Sequence, residues 1–420
     1  MSPLSAQSTL DTVTGLLPLS TTTTCADPQA VYNELRARYG QVAPVELEPG
    51  IHAWLVLGHK EICEVTRNER LFSRDPNHWR LLNEGRVPPT SGLGPMMFPR
   101  DNAYFADGDK HRRLRAPLDD GLASLNQHAM SVSIRSICEQ LLDDVAHTGR
   151  ADLVNDYAAQ IPMLAVARMF GLDMARSQEL RKALIALFGS GDDSQEGNAN
   201  LERILTEVIA ERRAEPKNDL TSAFLRHENL HNDFEIQQSM VLMISAGYET
   251  TTTWICQALR LMLTDPRFAA RLRGGRVGID DALDEVLWRD PPMSNMPARY
   301  ALHHTNLSGT SILRGDALIL GFAAANADPS VRSNDPWLEF GNRAHLAWSA
   351  GPHTCPADTP ARLITRIAVD TALQELHDVA MDVAADQIPL LPSPWTRCPA
   401  SLPVRFTPDT TTRRLAGENS

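Results

Sequence analysis

The 420-residue sequence is short of cysteine, of positive charge and of uninterrupted apolar runs, and each shortage excludes something. Its cysteines, at positions 25, 63, 138, 256, 355 and 398, form no Cys-x-x-Cys pair and no zinc-ligand spacing. Disulfides are therefore not expected, and a reducing cytoplasm is the expected location. No run reaches the roughly 18–20 consecutive apolar residues that cross a bilayer, so no membrane is implied. The first 28 residues lack both a basic leader and a long apolar core, which argues against a signal peptide. Forty Lys and Arg stand against 52 Asp and Glu, and the net charge of -12 argues against a nucleic-acid polymer as partner. No internal repeat is found, and no linker rich in Pro, Gly or Ser divides the chain.

What is present describes a globular chain with a sizeable core: 43% hydrophobic residues with 22% charged ones. Residues 1–26, rich in Ser and Thr, are expected as a flexible arm, 27–410 as a single domain and 411–420 as a tail. Residues 41–47 and 53–58 read as a β-hairpin. Helical periods then dominate to about residue 290, among them 151–170, which stops at Gly171. Residues 188–200 read as a polar loop between helices. The longest helical pattern, about 233–263, would be roughly 45 Å long and apolar enough to be buried on most sides. Its middle holds Gly247, Glu249 and four consecutive threonines, poor choices for a helix interior and therefore a mark of function. Short strand-like pieces follow Pro291 and Pro292, then a helix over 361–376 and a last strand near 402–406. The fold class expected is mainly α with minor β.

The stretch WSAGPHTCPAD, 348–358, puts Cys355 on a loop just ahead of an apolar helical run. A core thiol is the commonest state of such a cysteine. Gly351 allows a tight turn, however, and a sulfur near a helix N-terminus is biased toward thiolate, able to attack a substrate or ligate a metal. No positioned Cys–His–Asn set supports a cysteine protease.

The segment HLAWSAGPHTCPADTPARL resembles the haem-thiolate loop of the cytochrome P-450 family, Phe-x-x-Gly-x-x-x-Cys-x-Gly. Trp348 takes the Phe place, Gly351 and Cys355 match, and Ala357 replaces the last glycine. AGYETT, 246–251, resembles the oxygen-activation motif of the family's long central helix, which places Ala246 and Gly247 against the haem and gives Glu249 and Thr250 proton delivery. A carboxylate and a hydroxyl can relay protons through water, and a small Gly247 would leave room for oxygen. A Thr-rich buried helix packing through methyl groups is the plainer reading, but it leaves Glu249 without a purpose. DGDKHRRLR, 107–115, resembles the His-x-x-x-Arg segment that binds a haem propionate; His111 and Arg115 share a helix face. Arg299 and His353 match two further propionate contacts. The resemblance spans about residues 30–406 and implies the cytochrome P-450 fold, haem b as cofactor and Cys355 as the iron ligand.

A further position departs from the family. DALDEVLWRDPP, 281–292, aligns with its Glu-x-x-Arg helix, but Trp288 stands where the arginine belongs. Glu285 then needs another partner. Arg289, at i+4, or Arg343 is the expected replacement; otherwise Trp288 fills the space and Glu285 takes neutral donors. Glu-x-x-Trp together with this cysteine loop resembles a bacterial sub-branch from specialised metabolism. Some of its members couple aromatic cyclodipeptides to a second aromatic unit such as a nucleobase.

Coupling of that kind, forming a C–C or C–N bond, is the leading expectation for activity. Hydroxylation of a natural-product scaffold, a non-catalytic haem-thiolate sensor and a peroxide-driven enzyme are the alternatives. Substrate contacts are expected from about 78–106, 188–200, the central helix before Ala246, Met293 to Ala298 and the Trp395 turn. Met243, Met293, Ser294, Asn295, Met296 and Trp395 are the candidates, suited to a compact, partly aromatic ligand. The sequence shows no flavin or iron–sulfur domain, so a separate ferredoxin and ferredoxin reductase are the expected electron donors. Lys110, Arg112 and Arg113 could form the basic patch that receives the ferredoxin.

Overall fold

Helices form wherever a polar cap meets an apolar period. The longest, the central helix Asp233–Thr264, starts at Asn232, whose side chain accepts from the Glu235 amide at 2.9 Å. It stops at Asp265, ahead of Pro266. The computed structural model describes residues 9–188, 194–273, 278–332 and 342–409.

The central helix takes part in two apolar clusters. Its first half, through Ile236, Met240, Val241 and Ile244, packs with residues of the helices Met174–Phe188 and Ser194–Ala214. Its second half, through Trp254, Ile255 and Leu259, packs with Leu283, Val286 and Leu287 of the acidic helix, Ile279–Arg289. The same cluster holds Ile364, Ile367 and Ala368 of the cysteine helix, Asp358–Glu375. Each fully buried Leu or Ile contributes about 1.5–3 kcal/mol, so the central helix is held along its whole length.

A six-stranded sheet lies to one side, in the order Leu17–Pro18, Val42–Glu48, Ile51–Val56, Ala317–Leu320, Met296–Ala301, Phe72–Ser73. The expected hairpin is its second and third strands, paired antiparallel with Val42 opposite Val56. A three-stranded sheet joins Ala380–Met381, Pro403–Arg405 and Arg150–Asp152. The molecule is mainly α with minor β.

Three expectations differ from the structure. Residues 151–170 do not form one helix. Arg150–Asp152 is a strand, and the Asp152 carboxylate accepts from the Val154 and Leu402 amides at 3.0 and 2.8 Å, fixing a turn. A π-helical segment, Leu153–Ala158, leads to the regular helix Ile161–Met169. The 188–200 loop is shorter than expected, because a helix begins at Ser194; residues 189–193 lie outside the described set. The expected arm is not loose over 17–25. Leu17–Pro18 pairs with the sheet, and Leu19, Thr22 and Thr23 are fully buried. Residues 1–8 and the 411–420 tail lie outside the described set.

Candidate active site

Cys355 sits in a loop that backbone geometry holds tightly. Gly351 has φ +72°, and a Cβ there would stand 2.9 Å from the Thr66 carbonyl carbon, so only glycine lets the turn lie on that backbone. The Cys355 amide donates to the Trp348 carbonyl at 2.9 Å, and its Sγ accepts from the Ala357 amide at 3.4 Å. Trp348 packs edge-on to Trp254 of the central helix, with ring centroids 5.4 Å apart. Burial pushes the Cys355 thiol up, against the lowering influence of the Ala357 amide and Arg115. The nearby helix end therefore does not by itself ionise the sulfur, contrary to the sequence expectation; a metal cation would.

Beside the cysteine lies a group of buried basic side chains. The histidine helix, Gly108–Ala123, carries His111 and Arg115. The rings of His111 and His353 stack with centroids 4.0 Å apart, and neither Nε2 has a hydrogen-bond partner. Burial pulls His111 down to about 4 and His353 to about 3. Arg299 is 3% exposed, and among the described residues its one hydrogen bond goes to the Ala298 carbonyl at 3.3 Å. Burial, then the neighbouring Arg74, pulls it down to about 9. Arg74 is itself buried over the Tyr104 ring, and among the described residues its guanidinium donates to the carbonyls of Tyr104, Pro297 and Ala298. Arg115 donates to the Thr354 carbonyl at 2.9 Å and pairs with Asp119 at 2.7 Å.

Two buried guanidiniums in one place are costly unless anions meet them. Asp107 is close, 3.6 Å from His353, but it is already held by the Arg74 amide at 3.0 and 3.1 Å and by Ser73. A cofactor carrying two carboxylates would supply them, and haem, which brings two propionates and an iron that takes a thiolate, fits the donor set. Sequence reasoning missed Arg74, Asp107 and Glu69. The buried Glu69 Oε1 has no partner and falls within 4.8 Å of ligand atoms of both histidines.

The central helix supplies the other wall. Thr250 Oγ1 donates to the Ala246 carbonyl at 2.6 Å, and Thr253 Oγ1 to the Glu249 carbonyl at 3.0 Å. Threonines in a helix interior are satisfied locally in this way. Ala246 is exposed, with partly buried residues on either side of it from Ser245 to Thr250. Gly247 has a packing reason: a Cβ there would stand 3.3 Å from Val166 Cγ2. Burial pushes Glu249 up, and the Thr396 hydroxyl, donating to its Oε1 at 3.3 Å, draws it part of the way down. Thr396 was not foreseen; it lies 147 residues away in sequence.

The six candidate substrate residues divide by burial. Met293 and Trp395 belong to the apolar cluster that also holds Trp79 and Tyr300. Ser294 is buried, and its carbonyl accepts from the Ala323 amide. Asn295 is fully buried and commits its amide group to Thr22 Oγ1 and the Pro394 carbonyl at 2.8 and 2.9 Å. Only its Oδ1 is unpartnered. Met243 and Met296 are half-buried.

The expected replacement for the missing arginine is corrected. Glu285 pairs with Arg332 at 2.5 Å, not with Arg289 or Arg343. The Arg332 guanidinium also lies 5.0 Å from the Trp288 ring centroid. Arg289 instead meets Asp265 at 2.8 Å and Arg343 meets Asp284 at 3.1 Å. The basic patch is likewise not free. Lys110 pairs with Asp101 at 2.6 Å, Arg112 with Asp109, and Arg113 with Glu235 at 2.8 and 2.9 Å.

Comparison with known proteins points one way. No family model matches the chain. It is 28% identical over 392 residues to cytochrome P-450 monooxygenase PikC of Streptomyces venezuelae, covering 91% of each chain. It is 26% identical to the polyketide biosynthesis cytochrome P-450 PksS of Bacillus subtilis, covering 84% of this chain and 88% of that one. Among solved structures, CYP154A1 from Streptomyces coelicolor superposes with a TM-score of 0.81 at 27% identity, covering 93% and 99%. CYP154C4 from Streptomyces sp. W2061 does so with a TM-score of 0.84 at 25% identity, covering 94% and 100%. Most of the length of these relatives is matched, as is their fold, and the chain is similar throughout to bacterial cytochrome P-450 monooxygenases, a family of haem-binding oxidoreductases.

Proposed function

We propose that the chain oxidises a specialised metabolite with haem b held through Cys355, its propionates lying among His111, Arg115, Arg299 and His353. The cluster of buried basic side chains beside the cysteine carries this reading. The haem, when bound, supplies the activation of oxygen and the oxidation itself. The chain's own residues do the rest. Trp348 and Ala357 hold Cys355 through their backbones. The cluster orients the cofactor by its carboxylates. Glu249, whose pKa burial raises, would hold a proton for the site, and the Thr250 hydroxyl, one residue along, would pass it on.

Oxygen insertion into a natural-product scaffold is the reading the relatives favour: one is named mycinamicin IV hydroxylase/epoxidase and another 2-hydroxy-5-methyl-1-naphthoate 7-hydroxylase. Coupling of an aromatic cyclodipeptide-like substrate to a nucleobase-like unit is the second reading, resting on Trp288 and the cysteine-loop sequence. Product mass separates them: a gain of one oxygen, or two substrates joined with loss of two hydrogens. A sensor without turnover is disfavoured by the buried Glu249–Thr396 contact. A separate ferredoxin and its reductase would supply electrons in the cytoplasm. No helix among the described residues is long and apolar enough to cross a membrane.

The first test is the reduced carbon monoxide difference spectrum. A thiolate-type Soret band is expected from the purified protein, and Cys355→Ala must abolish it. A wild-type protein that binds no haem overturns the proposal.

A further inference from the structure

The acidic helix carries two adjacent acids, and they face different partners. Glu285 is taken by Arg332. Asp284, 5% exposed, gathers two guanidiniums and an imidazole. Arg362 reaches its Oδ1 at 2.5 Å, Arg343 its Oδ2 at 3.1 Å, and the buried His345 lies 3.8 Å from Oδ1. Burial pushes the Asp284 carboxyl up, but His345 and Arg362 outweigh it and hold it below the ordinary range.

The positions of these partners matter more than their number. Arg343 and His345 stand on the segment that enters the Cys355 loop, and Arg362 stands on the second turn of the cysteine helix that leaves it. One carboxylate therefore ties both arms of the loop to the acidic helix. The entry arm has two further ties. Trp288 Nε1 donates to the Asn342 carbonyl at 2.8 Å. Asn326, fully buried, accepts from the Leu346 amide at 2.8 Å and donates to the Leu287 carbonyl at 2.9 Å. No comparable link runs from Glu285 to either arm among the described residues, and its Oε1 has no partner.

We infer that Asp284 is a positioning residue for Cys355, fixing the sulfur by holding both ends of its loop. Trp288 leaves that task to Asp284 by occupying the place of a cation and turning Arg332 toward Glu285. The inference rests on Cys355 being the iron ligand.

The test uses the full chain purified with haem. Asp284→Asn keeps the shape and removes the charge that Arg343 and Arg362 share. Its reduced carbon monoxide complex is expected to convert from the thiolate-type to the neutral-thiol-type band on the order of tenfold faster than wild type, because losing one member of a buried ion cluster leaves the others uncompensated. Transfer of haem to an excess of apomyoglobin should accelerate in parallel. Arg343→Gln, at a side chain 62% exposed and safe for folding, should move both readouts in the same direction by a smaller factor. Glu285→Gln should leave the band conversion near the wild-type rate. Equal rates for Asp284→Asn and wild type, or a Glu285→Gln effect as large as that of Asp284→Asn, overturn the inference. Failure of the wild type to show a thiolate band overturns instead the reading on which it rests.

Discussion

At the scale of single residues, the site works by placing ionisable groups where water cannot satisfy them. Glu249 shows this best: burial raises its pKa and one hydroxyl, Thr396, opposes the rise. Replacing Thr396 by Val removes the opposing contact, so the Glu249 pKa rises further. Because Glu249 must be protonated to donate, the alkaline limb of a turnover–pH profile that reports it should move to higher pH. Glu249→Gln should retain haem and lower turnover on the order of 100-fold, the usual share of a positioned proton donor. A variant that oxidises substrate at the wild-type rate would remove Glu249 from proton delivery. Arg113 makes a different point. It holds Glu235 at about 2, an effect of its hydrogen bonds first. A carboxyl with a depressed folded pKa contributes stability that is present above about 4.5 and lost as pH falls toward 2. Arg113→Gln should therefore cost about 2 kcal/mol at neutral pH, and the cost should shrink in acid. Reduction by a ferredoxin should change little, because that guanidinium is already committed.

At the scale of elements, the cysteine loop is fixed by contacts of opposite sequence range. Its own turn is local, with Gly351 at φ +72°, while the carbonyl end of Thr66 that it lies against, in the helix His59–Arg67, comes from a distant part of the chain. Gly351→Ala combines a left-handed residue with a backbone clash, and should cost about 2–3 kcal/mol and weaken haem retention. Thermal unfolding and the carbon monoxide spectrum read the two effects separately. This local part was legible in the sequence, as were the i, i+4 placement of His111 and Arg115 and the bounds of the central helix. Such features are encoded by spacing within one element. The partners Arg332, Thr396 and Arg74 were not legible, because each meets its group from a distant part of the chain and no spacing rule links them. Arg289 illustrates the limit. It does share a helix face with Glu285, yet Asp265 at the end of the central helix stands closer and takes it. Helical periodicity identifies which side chains are able to meet, and the packing of neighbouring elements decides which of them do.

At the scale of the whole molecule, the N-terminal segment is what the composition most misrepresents. Its run of threonines reads as a solvated arm, but Thr22 and Thr23 are buried and carry contacts to the far end of the chain. Thr22 Oγ1 accepts from Asn295, and Arg397 donates to the Thr23 and Cys25 carbonyls at 3.0 and 2.7 Å. The neighbouring Thr396 is the residue that touches Glu249, and Gln257 of the central helix donates to the Arg397 carbonyl. The segment thus reaches the site through one turn. Deleting residues 1–25 removes the fully buried Leu19, worth about 1.5–3 kcal/mol. It also strips buried partners from Asn295 and Arg397, at about 1–3 kcal/mol for each group left unsatisfied. The sum is a large share of the roughly 5–15 kcal/mol that holds a domain together. The truncated chain should therefore unfold at a distinctly lower temperature. Its turnover–pH profile should also shift as that of Thr396→Val does, since a loosened turn no longer presents the hydroxyl to Glu249. A truncated chain with the melting temperature and pH profile of the full one would show that these contacts hold nothing, and that the threonines are the loose arm their composition suggests.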